Sequence, residues 1–267
     1  MTKKIFIAIV IFVIIILGFL FRGYLGFRKT PPNEPNNVVV NPPPLPEPAT
    51  TTNNGTSPGT VTKPPQYPPY SGRDPQEIRP VPEEVKLFTE DQKKKIYLDI
   101  ENDGQAVKKD PGFFQGWVQG GLLKKVIGDY EGARDMWEYA GVIRPQNSVS
   151  FGNLGELYWR YLPNFPKSEQ NFKIALKNKP DDIGAYVSLA ELYYYSYKEK
   201  SSLAYPTLLG AIKTYPNSLD LMKAIAVLYG RDQNYAQALE WWKKVAAIDS
   251  SDASVAAMIK SLEEKTK

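Results

Sequence analysis

The sequence predicts an all-α fold, a solenoid of about four helix pairs, from three features of its C-terminal part. Four prolines recur at intervals of 34 to 36 residues, at Pro111, Pro145, Pro180 and Pro216. Each interval carries the same apolar pattern at helical spacing, and each has a small residue four positions before an aromatic residue or leucine. A bundle of unrelated helix pairs is the alternative, but it gives no reason for a constant interval.

The first helix of each interval starts with a large residue, followed by a small or apolar pair and usually a tyrosine. Its four copies are "WVQGGLLK" from Trp117, "FGNLGELY" from Phe151, "YVSLAELY" from Tyr186 and "MKAIAVLY" from Met222. A turn and a second helix follow each copy. The small and large residues of the second helices are Ala133 and Trp137, Ser168 and Phe172, Ala204 and Leu208, and Ala238 and Trp242.

This pattern resembles the tetratricopeptide repeat, W-x2-L-G-x2-Y, then A-x3-F, then P, over roughly residues 112–250. The resemblance implies a right-handed α-solenoid of four such helix pairs. The first repeat departs from the pattern, with Gly120 in place of leucine and Lys124 in place of tyrosine. An interior glycine costs a helix about 1 kcal/mol, so we expect this helix to be loosened. Additional residues in the turns of the second and third repeats should leave the packed faces in phase.

Residues 1–29 are expected to form a membrane anchor. Seventeen uncharged residues run from Ile5 to Phe21, and as a helix they would span roughly 26 Å, close to the thickness of a hydrocarbon core. The alternative is a cleaved signal peptide. The apolar run is longer than a signal peptide needs and no small-residue cleavage motif follows it, so the sequence favours one N-terminal transmembrane helix.

Charges on the two sides of this run nearly balance, with Lys3 and Lys4 before it and Arg22, Arg28 and Lys29 after it. The positive-inside rule therefore does not decide the orientation. The short tail before the run, and a spacer without charge blocks after it, favour an N-terminus in the cytoplasm. We expect a single-pass membrane protein whose repeat domain is extracytoplasmic.

Residues 30–82 contain sixteen of the twenty-three prolines and few large aliphatic residues. Such a segment buries too little apolar surface to offset its ordering entropy, so the sequence predicts a disordered, partly polyproline linker. A proline-rich ligand for an SH3-like domain is the alternative.

Capping elements are predicted on both sides of the repeats. Residues 83–111 are expected to form an N-terminal capping half repeat, in which the capping-box sequence "TEDQ" at 89–92 precedes a helix. Residues 251–267 are expected to form a C-terminal capping helix. Its apolar face would consist of Val255, Met258, Ile259 and Leu262.

Composition excludes several functions. The chain has no histidine and no cysteine, which removes Ser-His-Asp and Cys-His catalysis, the usual zinc sites and disulfides. No glycine-rich phosphate-binding motif is present, so neither a cofactor nor a small-molecule substrate is expected. Residues 1–82 hold eight Lys or Arg and four Asp or Glu, whereas 83–267 hold twenty-five of each. The basic excess lies beside the anchor, so we expect no nucleic-acid partner.

The tetratricopeptide resemblance implies that the first helices line a concave groove for a protein or peptide partner. It places these residues there: Val118, Leu122, Lys125, Asn153, Glu156, Trp159, Arg160, Val187, Glu191, Tyr194, Tyr195, Lys223, Val227 and Arg231. Aromatic residues flanked by Glu and Arg suit peptide binding, because rigid side chains give contact area at low entropy cost. Packing of these aromatic residues between repeats is the alternative.

The sequence therefore predicts a membrane-anchored tetratricopeptide scaffold that mediates protein–protein interaction in envelope complex assembly, without enzymatic activity. Two alternatives remain. Glu156 and Glu191 occupy equivalent positions in neighbouring repeats, and paired acids can catalyse cleavage of an envelope polymer. We expect these acids to form an acidic strip for a basic or amide-rich peptide instead. The other alternative is a structural protein that self-associates through its repeats.

Overall fold

In the computed structural model, residues 67–267 are described, and they lie in one compact unit built from eleven α-helices. The helices are α1 Pro82–Val85, α2 Glu90–Lys109, α3 Phe114–Val126, α4 Tyr130–Ile143, α5 Val149–Arg160, α6 Phe165–Asn178, α7 Ile183–Glu191, α8 Ala204–Thr214, α9 Leu219–Arg231, α10 Tyr235–Ile248 and α11 Ala253–Lys265. The predicted anchor and residues 30–66 of the predicted linker lie outside the described residues. Among the described helices, none has the length and apolar character to cross a membrane.

Four antiparallel helix pairs form the body of the fold, as the repeat pattern predicts. The first helices of the pairs are α3, α5, α7 and α9, and the second helices are α4, α6, α8 and α10. Short polar residues start the helices, because their side-chain oxygens accept hydrogen bonds from otherwise unpaired backbone N–H groups. The capping residues of the repeats are Asp129, Asn164, Asp182, Ser218 and Asn234.

Small residues allow the two helices of each pair to pack closely. The small residues of the four second helices, Ala133, Ser168, Ala204 and Ala238, all have zero exposure. In the second repeat a Cβ atom on Gly155 would lie 2.7 Å from the Phe172 ring, so only glycine lets that ring pack against the first helix. The large residues Trp137, Phe172 and Leu208 are buried too, whereas Trp242 is half-buried. The predicted pairing of small and large positions is therefore confirmed in the first three repeats.

The third repeat accommodates its additional residues at the end of its first helix. Helix α7 continues into a π-helical turn at Leu192–Ser196, and a 3-10 segment at Lys198–Leu203 leads to α8. A π turn takes up an additional residue inside a helix. Leu192 and Ala204 on either side of the insertion remain fully buried, so the packed faces stay in phase.

Both capping elements are helical in the structure. The Thr89 hydroxyl accepts from the Gln92 backbone N–H at 3.3 Å, and the Gln92 side chain accepts from the Thr89 N–H at 2.8 Å, which confirms the capping box. In α11, Val255 and Leu262 are buried, but Met258 is 43% exposed. The buried apolar face of α11 is therefore narrower than predicted.

Residues 67–81, here called the strap, differ from the prediction of a disordered linker that extends to residue 82. Within the strap, Pro75 is buried and Tyr70 and Ile78 are half-buried. The Tyr70 ring centroid lies 4.6 Å from that of Trp117, and the Val81 N–H donates to the Ile127 carbonyl at 2.7 Å. The strap packs because its own residues supply the aromatic and apolar groups that the linker as a whole lacks.

The first helix of the first repeat is not loosened, contrary to the expectation from its sequence. Helix α3 is regular from Phe114 to Val126 although Gly120 and Lys124 depart from the repeat pattern. Lys124 is 1% exposed, and its Nζ donates to the Glu77 carbonyl of the strap at 2.5 Å and to Asp129 Oδ2 at 3.2 Å. Lysine therefore takes the place of tyrosine because a strap carbonyl and a buried carboxylate both need a donor there.

Candidate functional site

The fourteen predicted groove residues lie on the first helices and on the π turn that extends α7. We call the surface that they form the first-helix surface. Only three of them, Arg160, Tyr195 and Arg231, are exposed, whereas Trp159 is buried and the others are half-buried. The structure thus brings the predicted residues to neighbouring helices but gives them unequal access to a partner.

Ion pairs connect the first helices of successive repeats. Lys125 Nζ of α3 lies 3.0 Å from Glu156 Oε2 of α5, and a guanidinium nitrogen of Arg160 lies 3.6 Å from Glu191 Oε2 of α7. Each acid therefore has a counter-ion from the preceding repeat. The expectation of an acidic strip is wrong, because these carboxylates are neutralised within the fold.

The same arrangement recurs beyond the fourth repeat. Lys223 Nζ of α9 lies 3.3 Å from Oδ2 of Asp252, the residue that caps α11. The paired side chains are 16% to 36% exposed, so water screens the pairs only in part. Burial raises the pKa of the Glu191 carboxyl above its usual value, and the opposing effect of the Arg160 charge does not cancel this rise. Three ion pairs thus involve residues of the first-helix surface.

Trp159 serves packing between repeats. It is 7% exposed, and its indole Nε1 donates to Ser196 Oγ in the third repeat at 2.8 Å. The guanidinium of Arg160 lies 3.7 Å from the Trp159 ring centroid. A partner would therefore meet Arg160 and not the indole, as the packing alternative for this aromatic residue states.

Tyr194 and Tyr195 have different roles on the π turn. The Tyr194 hydroxyl donates to Asp232 Oδ1 at 2.5 Å, and Tyr205 donates to the other oxygen of the same carboxylate at 2.6 Å. Burial, assisted by the bond to Asp232, raises the pKa of Tyr194. Tyr195 is 41% exposed, with its ring edge against Tyr194. Tyr195 is therefore the exposed tyrosine of this turn.

Several apolar groove residues also pack within the fold. Leu122 contacts the cluster formed by α4 and α5, and Val118 contacts the cluster around Trp117. The Val118 carbonyl accepts from Trp137 Nε1 at 3.0 Å. These residues contribute partly covered apolar area between the charged pairs.

Carboxylates and metal ligands are not concentrated on this surface. In the described residues, no group of three or more acidic, histidine or cysteine side chains could hold a metal ion. Glu156 and Glu191 bind different cations, Lys125 and Arg160. The pair of free acids that carboxylate catalysis requires is not formed by these two residues.

The sequence did not lead us to predict a second groove, which the strap covers. It lies between α2 and α4, with α3 at its base, and includes Gly104, Trp117 and Asp135. Glycine in the middle of α2, in "ENDGQAVKK", is the signal that could have indicated it, because such a glycine often marks a close backbone approach.

The regular helix pairs, the buried small residues and the 34- to 36-residue period of α3 to α10 resemble those of tetratricopeptide repeats. No family model matches the chain. A curated relative, the formate-dependent nitrite reductase complex subunit NrfG of Escherichia coli O157:H7, is 25% identical over 119 residues. The match covers 44% of this chain and 60% of that relative.

Solved structures are also similar to this chain. The structure of YrrB, described as a TPR protein with an unusual peptide-binding site, is 14% identical with a TM-score of 0.46, over 61% of this chain and 83% of that chain. The structure of MamA is 16% identical with a TM-score of 0.49, over 63% of this chain and 99% of that chain.

Proposed function

We propose that this chain is a membrane-anchored tetratricopeptide scaffold whose first-helix surface binds an extended segment of a partner protein. The anchor is the apolar run at residues 5–21, and a spacer precedes the strap. The scaffold takes part in the assembly of an envelope complex, with its repeat domain on the extracytoplasmic side.

The observation that supports partner binding is the set of ion pairs on the first-helix surface. Charges that are held in ion pairs present fixed donors and acceptors, and they leave no uncompensated charge when a partner covers them. Exposed Tyr195 and the two exposed arginines lie among them. A partner of balanced charge, rather than a strongly basic peptide, fits this surface.

The proposal includes no catalysis. Glu156 and Glu191 each have a cation within 4 Å, and the chain lacks histidine and cysteine. The proposed role in complex assembly is supported by the relative NrfG, which is named as a subunit of an enzyme complex.

Site-specific photo-crosslinking in living cells tests the binding surface. A photoreactive residue at Tyr195 should form adducts with one discrete partner. The matched control is Val142 of the second helix α4, which is equally accessible, at 48% exposure against 41% for Tyr195. Adducts from Val142 but not from Tyr195 would contradict the proposal, and adducts only with a second copy of this chain would favour the self-association alternative.

Protease accessibility tests the membrane orientation. In intact cells or spheroplasts, added protease should remove the repeat domain. Complete protection, with digestion only after lysis, would place the repeats in the cytoplasm and refute the extracytoplasmic assignment.

A further inference from the structure

The strap lies in a groove that is separate from the first-helix surface. This groove, here called the outer groove, is formed by α2, α3 and α4. The residues that line it and contact the strap are Gly104, Trp117, Lys124, Glu131, Asp135 and Tyr139.

One part of the outer groove is an aromatic slot for Tyr70. Its ring lies 4.6 Å from Trp117 and 5.3 Å from Tyr139, measured between ring centroids. Trp117 and Tyr139 are also 4.6 Å apart, so the three rings contact one another. Tilted and edge-on aromatic contacts of this kind add to the gain from burying the ring.

A second part of the outer groove binds an arginine. The Arg73 guanidinium donates to Asp135 Oδ2 at 3.3 Å and also to Glu131, and the Arg73 backbone N–H donates to Asp135 Oδ2 at 3.1 Å. The Asp135 side chain is only 9% exposed, and Arg134 also pairs with it. A largely buried carboxylate of this kind favours a cation in the bound segment.

Backbone contacts hold the segment extended between these side chains. The Tyr139 hydroxyl donates to the Pro68 carbonyl at 2.8 Å, and Lys124 Nζ donates to the Glu77 carbonyl at 2.5 Å. Gly104 lets the backbone approach α2, since a Cβ there would lie 2.6 Å from the Gln76 nitrogen and 2.7 Å from the Pro75 carbonyl carbon. Backbone contacts together with pockets for particular side chains are typical of extended-peptide recognition.

The strap fits the groove imperfectly. Among the described residues, the Tyr70 hydroxyl is a buried polar atom without a hydrogen-bond partner. Burying such a group opposes docking, because the hydroxyl loses its bonds to water without replacement. The docked strap is therefore less stable than its contacts alone would make it, and a segment with phenylalanine in place of this tyrosine would fit better.

We propose that the outer groove is a second peptide-binding site, which the strap closes as a built-in ligand. Its partner is an extended protein segment that presents an aromatic residue and, three residues later, an arginine. Tethering gives the strap an effective concentration on the order of 1 mM, so a partner must bind more tightly than the strap or meet the groove when the strap is released.

Binding of a labelled peptide with the strap sequence to the full chain in detergent tests this proposal. In the Gly72→Ala chain, the new Cβ would lie 2.7 Å from Asp135 Cβ and would also meet the Tyr70 hydroxyl, so the strap is displaced without a change in any residue that lines the groove. We expect this chain to bind the peptide at least tenfold more tightly than the wild-type chain does.

Gly104→Ala is the matched control on the groove side. Its Cβ displaces the strap as well, but it also rejects the added peptide, and alanine favours the helix itself. Accessibility of Arg73 to trypsin shows whether the strap has left in each variant. Equal peptide binding by the Gly72→Ala and Gly104→Ala chains would overturn the proposal.

Changes in the peptide test the two pockets without altering the protein. Peptides with Tyr70→Ala or Arg73→Ala should bind the opened chain at least tenfold more weakly, and the Tyr70→Phe peptide should bind severalfold more tightly. If the strap of the Gly72→Ala chain stays docked, the Tyr70→Ala/Arg73→Ala chain serves as the opened chain in the assay, because its strap lacks both side chains that bind the groove. An opened chain that keeps its helical content but does not bind the strap peptide refutes a second binding site.

Discussion

The first and second repeats of the solenoid differ in what lies on their N-terminal side. Helix α5 of the second repeat follows a complete helix pair, and its Tyr158 hydroxyl donates to Glu138 of α4 at 2.6 Å. Helix α3 of the first repeat meets α2 and the strap, and Lys124 occupies the position equivalent to Tyr158. At this position, the departure from the repeat pattern thus reflects a different neighbour, the strap.

Deletion of the strap should cause the largest difference in stability between the first repeat and the later repeats. A full chain that lacks residues 67–81 exposes Trp117 and Tyr139 and leaves Lys124 without its strap carbonyl. We expect the first repeat to lose at least about 3 kcal/mol, the cost of truncating one large buried aromatic residue. Hydrogen exchange should accelerate in α2 to α4 and change little in α8 to α10.

Uniform protection of all repeats in the deleted chain would contradict this prediction. It would show that residues 83–267 fold by themselves, as the linker boundary at residue 82 implies. A chain that lacks an equal length of the spacer before residue 67 is the control, and it should match the intact chain.

The repeats could be predicted from the sequence because their main contacts are local. The small residues of a pair and the large residues that cover them lie within one period, as with Gly155 and Phe172. The strap could not be predicted in this way, because composition averaged over residues 30–82 conceals the few apolar residues near its end. Lys124 at a repeat position and Gly104 in the middle of α2 were the available signals, because both contact the strap.

The candidate site was predicted less completely than the repeats. Helical spacing places Glu156 and Glu191 on equivalent faces, but it does not show that each binds a cation from the preceding repeat. Such pairs join residues about one period apart and depend on side-chain conformation. The burial of Trp159 likewise depends on Ser196 in the inserted π turn, which has no counterpart in the other repeats.

Substitution at the equivalent positions Lys124 and Tyr158 should show the next largest difference. Lys124→Met leaves the Glu77 carbonyl and the Asp129 carboxylate, which is 7% exposed, without this donor. Removal of one partner of a buried pair costs about 3 kcal/mol or more. Tyr158→Phe removes one hydrogen bond to the exposed Glu138, at about 1 kcal/mol.

Urea unfolding of the two variants measures this difference directly. Equal losses would mean that Lys124 contributes no more than the tyrosine of an ordinary repeat. The strap of the Lys124→Met chain should also become sensitive to trypsin, whereas that of the Tyr158→Phe chain should remain protected.

Two helical glycines provide a smaller contrast between the repeats. A Cβ on Gly121 of α3 would overlap the Trp137 indole, whereas a Cβ on Gly152 of α5 would have nothing within 4 Å. We expect Gly121→Ala to destabilise the chain by about 1–3 kcal/mol through overpacking. Gly152→Ala should stabilise it by up to about 1 kcal/mol, because alanine is the better helix former. Opposite shifts of the thermal midpoint would verify the contrast, and shifts of the same sign would contradict it.

The smallest expected effect on stability comes from a contrast between two acids, Asp103 on α2 beside the first repeat and Glu169 on α6. Burial raises the pKa of Glu169 on α6, but hydrogen bonds from Lys173, Lys200 and Tyr193 outweigh it and hold that pKa below its usual value. Asp103 on α2 has no ion pair among the described residues, and burial, with a contribution from Asp99, raises its pKa to about 6. The fold therefore favours the protonated form of Asp103.

Because the pKa of Asp103 is higher in the folded chain than in the unfolded chain, ionisation of Asp103 at high pH destabilises the fold. Its favourable contribution is present below about pH 4 and is lost as the pH rises through about 6. Asp103→Asn should therefore raise the unfolding free energy at pH 8 by about 1 kcal/mol, reduced for partial exposure, and change it little at pH 4. Urea unfolding at both pH values tests this, with Asp99→Asn as a control that should lower the pKa of Asp103. An equal gain at pH 4 and pH 8 would show that Asp103 is not the titrating group.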